Sequence, residues 1–119
     1  HTTLFRSALA PVDVGQAVVV QQGLVLGVEA IEGTAALLQR AGSLRREGRG
    51  GVLIKCSKPG QDTGFDLPTI GPDTVEQAFS AGLAGLAVEA GRALLLEQAE
   101  TVARCNARGL FFLGLEGQP

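Results

Sequence analysis

Asp62 and Asp66 stand four residues apart in a proline-bracketed segment, KCSKPGQDTGFDLPTIGPDT, that runs over residues 55–74. Both carboxylates can face one hard cation through oxygen ligands. A divalent metal held in this way can polarise a phosphoryl oxygen or acidify a water. Lys55 and Lys58 lie in the same segment and can neutralise phosphate as point charges. Cations for an anion beside carboxylates for a cation is the mixture that phosphate-and-metal chemistry requires. The alternative role for the aspartates is turn stabilisation, with their side chains accepting from backbone N–H groups. The residues alone leave these two readings even.

Other chemistries lack their residues. No Gly-x-x-x-x-Gly-Lys-Ser/Thr and no Gly-x-Gly-x-x-Gly is present. The single histidine, His1, is terminal, so a Ser–His–Asp or Cys–His site is hard to build. Two cysteines with that histidine are too few for a zinc centre. A net charge of −2 offers no basic field for nucleic acid. No apolar run approaches the roughly 18–20 residues that a membrane helix needs. Cys56 and Cys105 are far apart, which suits reduced thiols better than a disulfide framework.

The elements that must position the polar segment follow from periodicity. With 119 residues, 45% of them hydrophobic, the chain fits one globular domain. Its core must be aliphatic, since five Phe are its only aromatic residues. The chain begins at His1 and has no Met, as expected of a piece of something longer. Residues 16–21 and 24–29 read as a hairpin about Gln22–Gly23. Thr34 is placed to cap a helix with Leu37, Leu38, Ala41 and Leu44 on one face. That helix is expected to dissolve in residues 48–51, with Arg40, Arg45 and Arg46 in its last turn. Residues 51–54 read as a buried strand.

Pro72 suits the first turn of a second helix, where Asp73 with Glu76, or Thr74 with Gln77, has capping-box spacing. Its inner face is expected to hold Val75, Ala78, Phe79 and Gly82. Residues 83–89 and 93–96 read as strands joined by a turn at Gly91–Arg92. Residues 97–108 read as a third helix with Ala99, Val102, Ala103 and Asn106 at helical spacing. Gly109 is placed to end it in the left-handed conformation, and residues 110–115 close as a strand. The expected fold is a layered α/β domain with about six strands and three helices. Its sheet is mixed, because two hairpins force antiparallel pairs. The polar loops after Glu29 and after Lys55 are expected to meet at one edge.

Three segments carry a family resemblance: DVGQAVVVQQGLVLGVEAIEGT, GGVLIKCSKPGQDTGFDLPTIGPDTV and AGLAGLAVEAGRALLLE. Together they resemble the C-terminal domain of the LpxI-type UDP-2,3-diacylglucosamine pyrophosphatases of lipid A biosynthesis, over residues 13–115. The resemblance implies that residues 1–12 are a linker or the remnant of an N-terminal domain, and that residues 13–119 are a C-terminal catalytic-loop domain. It implies hydrolysis of the pyrophosphate of UDP-2,3-diacylglucosamine to UMP and 2,3-diacylglucosamine 1-phosphate (lipid X). It further implies Mg2+ or another divalent cation, and a cytoplasmic setting in a Gram-negative bacterium with peripheral contact to the inner membrane. Its own N-terminal domain is the implied partner, and a homo-oligomer is compatible.

Carried over residue by residue, the family's essential aspartate falls in the Lys-Pro-x-Gln-Asp segment, here Lys58, Pro59, Gln61 and Asp62. Asp62 is thereby implied in metal binding or water activation, with Asp66 second. Lys55, Lys58, Gln61 and Thr69 are implied on the substrate, together with the Glu-Gly-Thr loop of Glu32, Gly33 and Thr34. One departure stands out: the family commonly has an arginine two residues after the Gln-Asp pair, where this chain has Gly64. That departure keeps two rivals open beside the enzyme. One is a module that grips a nucleotide-sugar or lipid headgroup without hydrolysis. The other is an interaction domain that assembles through its sheet edge or helix faces.

Overall fold

The valine-rich run Ala17–Gln21 (β1) is β-branched and buried along nearly its whole length, the pattern of an interior strand. The computed structural model describes residues 17–48, 50–56, 69–89 and 94–115. After β1 the chain turns through Gln22 (φ 55°) and Gly23 (φ 78°) into Leu24–Val28 (β2). Two successive left-handed residues make the hairpin turn whose twist matches that of the strands. Gln22 adopts this conformation without being glycine, and its side-chain amide donates to the Glu47 carbonyl at 2.8 Å.

The remaining strands are Val52–Lys55 (β3), Thr69–Ile70 (β4), Gly85–Glu89 (β5), Leu94–Leu95 (β6) and Phe111–Leu115 (β7). The helices are Thr34–Gly42 (α1), Pro72–Ser80 (α2) and Gln98–Arg108 (α3). The main sheet has the order β2-β1-β3-β5-β7, and β4 pairs with β6 in a small second sheet. The fold is thus α/β with a mixed sheet, as expected, and with seven strands among the described residues. β1 is antiparallel to both its neighbours, whereas β3, β5 and β7 run parallel.

The second hairpin expected from sequence does not form. β5 has β3 on one side and β7 on the other, so it has no free edge for residues 94–95. β6 instead joins β4 in parallel.

All three described helices lie on one face of the sheet. Leu37, Leu38 and Ala41 of α1, Val75 and Ala78 of α2, and Cys105 of α3 pack with Val19, Leu53 and Leu86 in one aliphatic core. On the opposite face Val18, Ile54 and Ala87 form a second buried cluster to which no described helix contributes. Burial on both faces explains why β3 and β5 read as continuous apolar runs without alternation. Gly85 lies opposite Phe111, and a Cβ there would fall 2.5 Å from the Phe111 ring. A bare backbone at this position is what lets the ring lie across β5.

The helix ends correct the sequence reading in four places. α1 begins with Gly33 at the cap position, and Thr34 is its first residue with no capping bond. α1 stops at Gly42, so only Arg40 sits in its last turn, and Leu44 is exposed. The physical reason lies in Gln21. Its buried side-chain amide donates to the Arg46 carbonyl at 2.8 Å and accepts from the Arg46 N–H at 2.7 Å, holding that backbone out of a helix. In α2 the expected Pro72 start is present. The cap is Gly71, whose N–H donates to the Thr74 hydroxyl at 3.4 Å.

Gly82 is not on the inner face of α2. It takes φ +81° just past the helix, where its N–H reaches the Phe79 carbonyl and the Leu83 N–H reaches Ala78. That is the paired closure that glycine favours at a helix end. Phe79 is turned outward, with the Arg108 guanidinium 4.7 Å from its ring centroid. Gly109 ends α3 at φ +70°, as its position predicts.

The inward face of α3 is Thr101 and Cys105, not Ala99, Val102, Ala103 and Asn106. The period was right and the phase was not. Thr101 is tolerated inside because its hydroxyl donates to the Leu96 carbonyl at 2.7 Å, and Cys105 acts as a small hydrophobe. A chemical test follows. Cys56 is half-buried, while Cys105 is buried and its burial raises the thiol pKa. Because the thiolate is the nucleophile, iodoacetamide should label Cys56 first and reach Cys105 only on unfolding. Equal labelling rates in the folded protein would mean that α3 does not dock by this face.

Candidate functional site at the carboxyl edge of the sheet

Parallel strands gather loop chemistry outside their carboxyl ends. Lys55, Glu89 and Leu115 are the last residues of β3, β5 and β7, so they share one edge. Antiparallel pairing brings the start of β1 and the end of β2 to the same place, with Ala17 opposite Lys55 and the Glu29 N–H donating to the Ala17 carbonyl at 2.8 Å. The loops after Glu29 and after Lys55 therefore leave from the same edge.

Register sets the row Glu29–Ala17–Lys55–Val88 across this edge. Side chains opposite one another in register share a face, so the row lies on the helix side with Val19 and Leu53. Ala17 contributes only a methyl group, leaving room for the long side chains on either side of it. Lys55 is 8% exposed, and its ammonium donates to the Thr69 carbonyl at 3.0 Å. Burial pushes its pKa below the ordinary lysine value, and the Glu29 carboxylate acts in the opposite sense. Glu29 is held in turn by Thr34, whose hydroxyl donates to its Oε1 at 2.9 Å.

The Glu-Gly-Thr loop divides its work. Glu32 Oε1 accepts from the Ala30 N–H at 2.8 Å, and its Oε2 pairs with the Arg40 guanidinium at 3.2 Å. The Ala30 hydrogen bond, with Arg40 second among the stabilising contacts, holds the Glu32 carboxyl below its usual pKa. Arg40 also donates to the Val28 carbonyl at 3.1 Å, fastening the start of the loop to α1. Gly33 has φ +92°, a conformation in which a side chain is strained, and it turns Thr34 inward toward Glu29. Glu32 thus closes its own loop, and Glu29 is the acid that faces Lys55.

Of the residues singled out in the sequence, Lys55, Thr69, Glu32, Gly33 and Thr34 are described and lie at or beside this edge. Asp62, Asp66, Lys58 and Gln61 belong to residues 57–68, outside the described residues. That segment leaves from Cys56 and rejoins at Thr69, so the Lys55–Thr69 hydrogen bond joins the chain on either side of it. Among the described residues no three His, Cys, Asp or Glu side chains gather into a group that could hold a metal ion. The two carboxylates assigned to a cation lie outside them.

The sequence reading passed over two acids at this edge, Glu29 and Glu89. Glu89 is 4% exposed and, two residues beyond Ala87, belongs to the second face of the sheet. A charged residue closing a wholly apolar strand was the available signal. Among the described residues no helix is long and apolar enough to cross a membrane.

Residues 2–113 match the family model of the LpxI C-terminal domain. The chain is 49% identical over 112 residues to the UDP-2,3-diacylglucosamine pyrophosphatase LpxI of Caulobacter vibrioides, an alignment covering 89% of this chain and 40% of that protein. The chain thus spans well under half the length of the curated relative it matches. A family match over nearly the whole chain, with identity this high, shows that the chain belongs to the LpxI C-terminal domain family.

Proposed function

We propose that this chain is the C-terminal part of a metal-dependent UDP-2,3-diacylglucosamine pyrophosphatase, and that the carboxyl edge of its sheet carries the catalytic loop. Family membership supports the reaction. The observation that carries the placement is Lys55, buried at the end of β3 and bonded to Thr69 across the two ends of the aspartate segment. In this reading water attacks one phosphorus of the diphosphate, the bond from that phosphorus to the bridging oxygen breaks, and UMP and 2,3-diacylglucosamine 1-phosphate leave. Asp62 binds the cation or takes the proton from the attacking water, with Asp66 beside it. Bound there, Mg2+ or another divalent cation would stabilise charge on the phosphoryl oxygens and acidify that water.

Lys58 and Gln61 contact the diphosphate in this reading, and Thr69 and the Glu32–Gly33–Thr34 loop line the same cleft. The N-terminal domain of the parent protein completes the site, which works on the cytoplasmic side of the inner membrane. A diphosphate held between two domains loses positioning groups when one is removed. The full-length protein is therefore the proper test object. In 18O-labelled water it should release UMP and 2,3-diacylglucosamine 1-phosphate with the label in one of the two, which identifies the phosphorus attacked, and a chelator should stop the release. Label in neither product, or undiminished turnover in the chelator, would sink the proposal.

Gly64 favours a second reading, because the family commonly has an arginine there. A protein that binds lipid X saturably yet releases no UMP would be a headgroup-binding module.

A further inference from the structure

A lysine at the end of a core strand is an unfavourable choice for stability. Two residues earlier on the same face of β3 stands Leu53, fully buried. Taking an ammonium out of water is costly, and an apolar residue of similar volume is often as stable or more so. Lys55 nevertheless sits at 8% exposure with its charge directed at a backbone carbonyl fourteen residues further on. A carbonyl acceptor makes this a contact with the chain path at Thr69, independent of the Thr69 side chain.

The balancing charge is Glu29, two strands away across the methyl of Ala17. Glu29 does not reach this place unaided, since Thr34 holds its Oε1 at 2.9 Å and Gly33 directs Thr34 inward. Thr34, Glu29, Lys55 and the Thr69 carbonyl therefore form a line from the start of α1, across the sheet edge, to β4. It links the Glu-Gly-Thr loop to the point where the aspartate segment rejoins the fold. Glu32, the acid of the sequence motif, is engaged elsewhere with Arg40.

We propose that Thr34, Glu29 and Lys55 are a positioning relay that fixes β4 relative to the loop after β2, and that Glu29 and Lys55 serve hydrolysis through this placement without touching the substrate. The inference rests on the pyrophosphatase reading for its kinetic consequence, but not for its structural one. A phosphate ligand at Lys55 would act mainly on substrate affinity. A positioning relay acts mainly on turnover, because small misplacements of reacting groups are felt in the chemical step.

The test uses the full-length protein carrying Lys55→Met, Glu29→Gln, Thr34→Val or Thr34→Ser. Lys55→Met should lower kcat by about 100-fold, and Glu29→Gln and Thr34→Val by about 10-fold each. KM should stay within about 3-fold of the wild type in all of them, which marks loss of an interaction felt in the transition state. Thr34→Ser keeps the hydroxyl and should restore turnover. Combining Glu29→Gln with Thr34→Val should be no worse than Glu29→Gln alone, since members of one relay are not additive.

Hydrogen exchange supplies a readout that needs no activity. Lys55→Met should speed exchange at residues 69–71 and 94–96, where β4 and β6 pair, and leave β1 and β2 unchanged. A KM rise with kcat retained in Lys55→Met would make Lys55 a substrate ligand and overturn the relay, as would additive losses in the double variant. Unchanged exchange at residues 69–71 would overturn it as well. If the wild type releases no UMP, the pyrophosphatase reading falls, while the exchange arm still decides the relay. Methionine is apolar and of similar length, and glutamine keeps the shape of glutamate, so both variants leave the core intact.

Discussion

Asp62→Ala in the full-length protein should lower UMP release from UDP-2,3-diacylglucosamine by on the order of a thousandfold or more, the loss expected when a group acting on the reacting atoms is removed. A diphosphate approaching water repels any nucleophile that is itself becoming anionic, so either a cation or a proton acceptor must stand at the point of attack. The described part of the edge supplies one buried ammonium, Lys55, already bonded to the Thr69 carbonyl. It supplies no three-residue group of metal-ligating side chains. The segment between Cys56 and Thr69 holds Asp62 and Asp66, whose spacing suits the task. Asp66→Ala should cost less than Asp62→Ala. Wild type and Asp62→Ala releasing UMP at equal rates would make Asp62 a structural residue and remove the assignment.

Leu86→Ala should destabilise the chain by about 2–5 kcal/mol, the range for emptying a well-packed aliphatic site. Leu86 is fully buried in β5, in register with Leu53 on one side and Phe112 on the other. Three strands and the helix layer meet at this side chain, so the cavity has little room to collapse. Leu113→Ala is the control. It lies on β7 at the rim of the sheet and is 51% exposed, so its truncation should fall within about 0.5 kcal/mol of the wild type. Urea unfolding measures both, provided the slope with denaturant is unchanged. If Leu86→Ala costs no more than Leu113→Ala, β5 does not occupy the centre of the sheet.

Much of the fold was readable because local chemistry determined it. The run of valines before Gln22–Gly23, the proline at the start of α2 and Gly109 at the end of α3 each act through their own backbone preferences. What could not be read depends on distant partners. The short strand at residues 94–95 lost its expected neighbour because β7, made later in the chain, takes that edge of β5. The inward face of α3 departs from the expected one because its residues are Thr101 and Cys105, which do not look like core until the Leu96 carbonyl is seen to accept from the threonine. α1 ends short of the length its sequence predicts because Gln21, twenty-five residues before Arg46, takes the backbone of Arg46.

The candidate site followed the same rule. Lys55 was legible as a charge but not as a buried one. Glu29 was hidden as the end of a strand, and its role is visible only once Ala17 is seen to lie between it and Lys55. The Glu-Gly-Thr motif drew attention to Glu32, whereas the geometry turns Glu29 inward.

The mixed direction of the sheet also orders its assembly in time. β1 and β2 are joined by a two-residue turn and need close only a short loop, an event of microseconds. β3, β5 and β7 are joined through helices, so each pairing waits for a long loop to close and for a helix to find its face. On a ribosome the hairpin and α1 are complete before β5 exists. β5, buried along its whole length, then waits for β7, the last of the described strands to be made. During that interval its apolar edge stands open to any passing strand, so self-association during refolding is greatest while β7 is still unpaired.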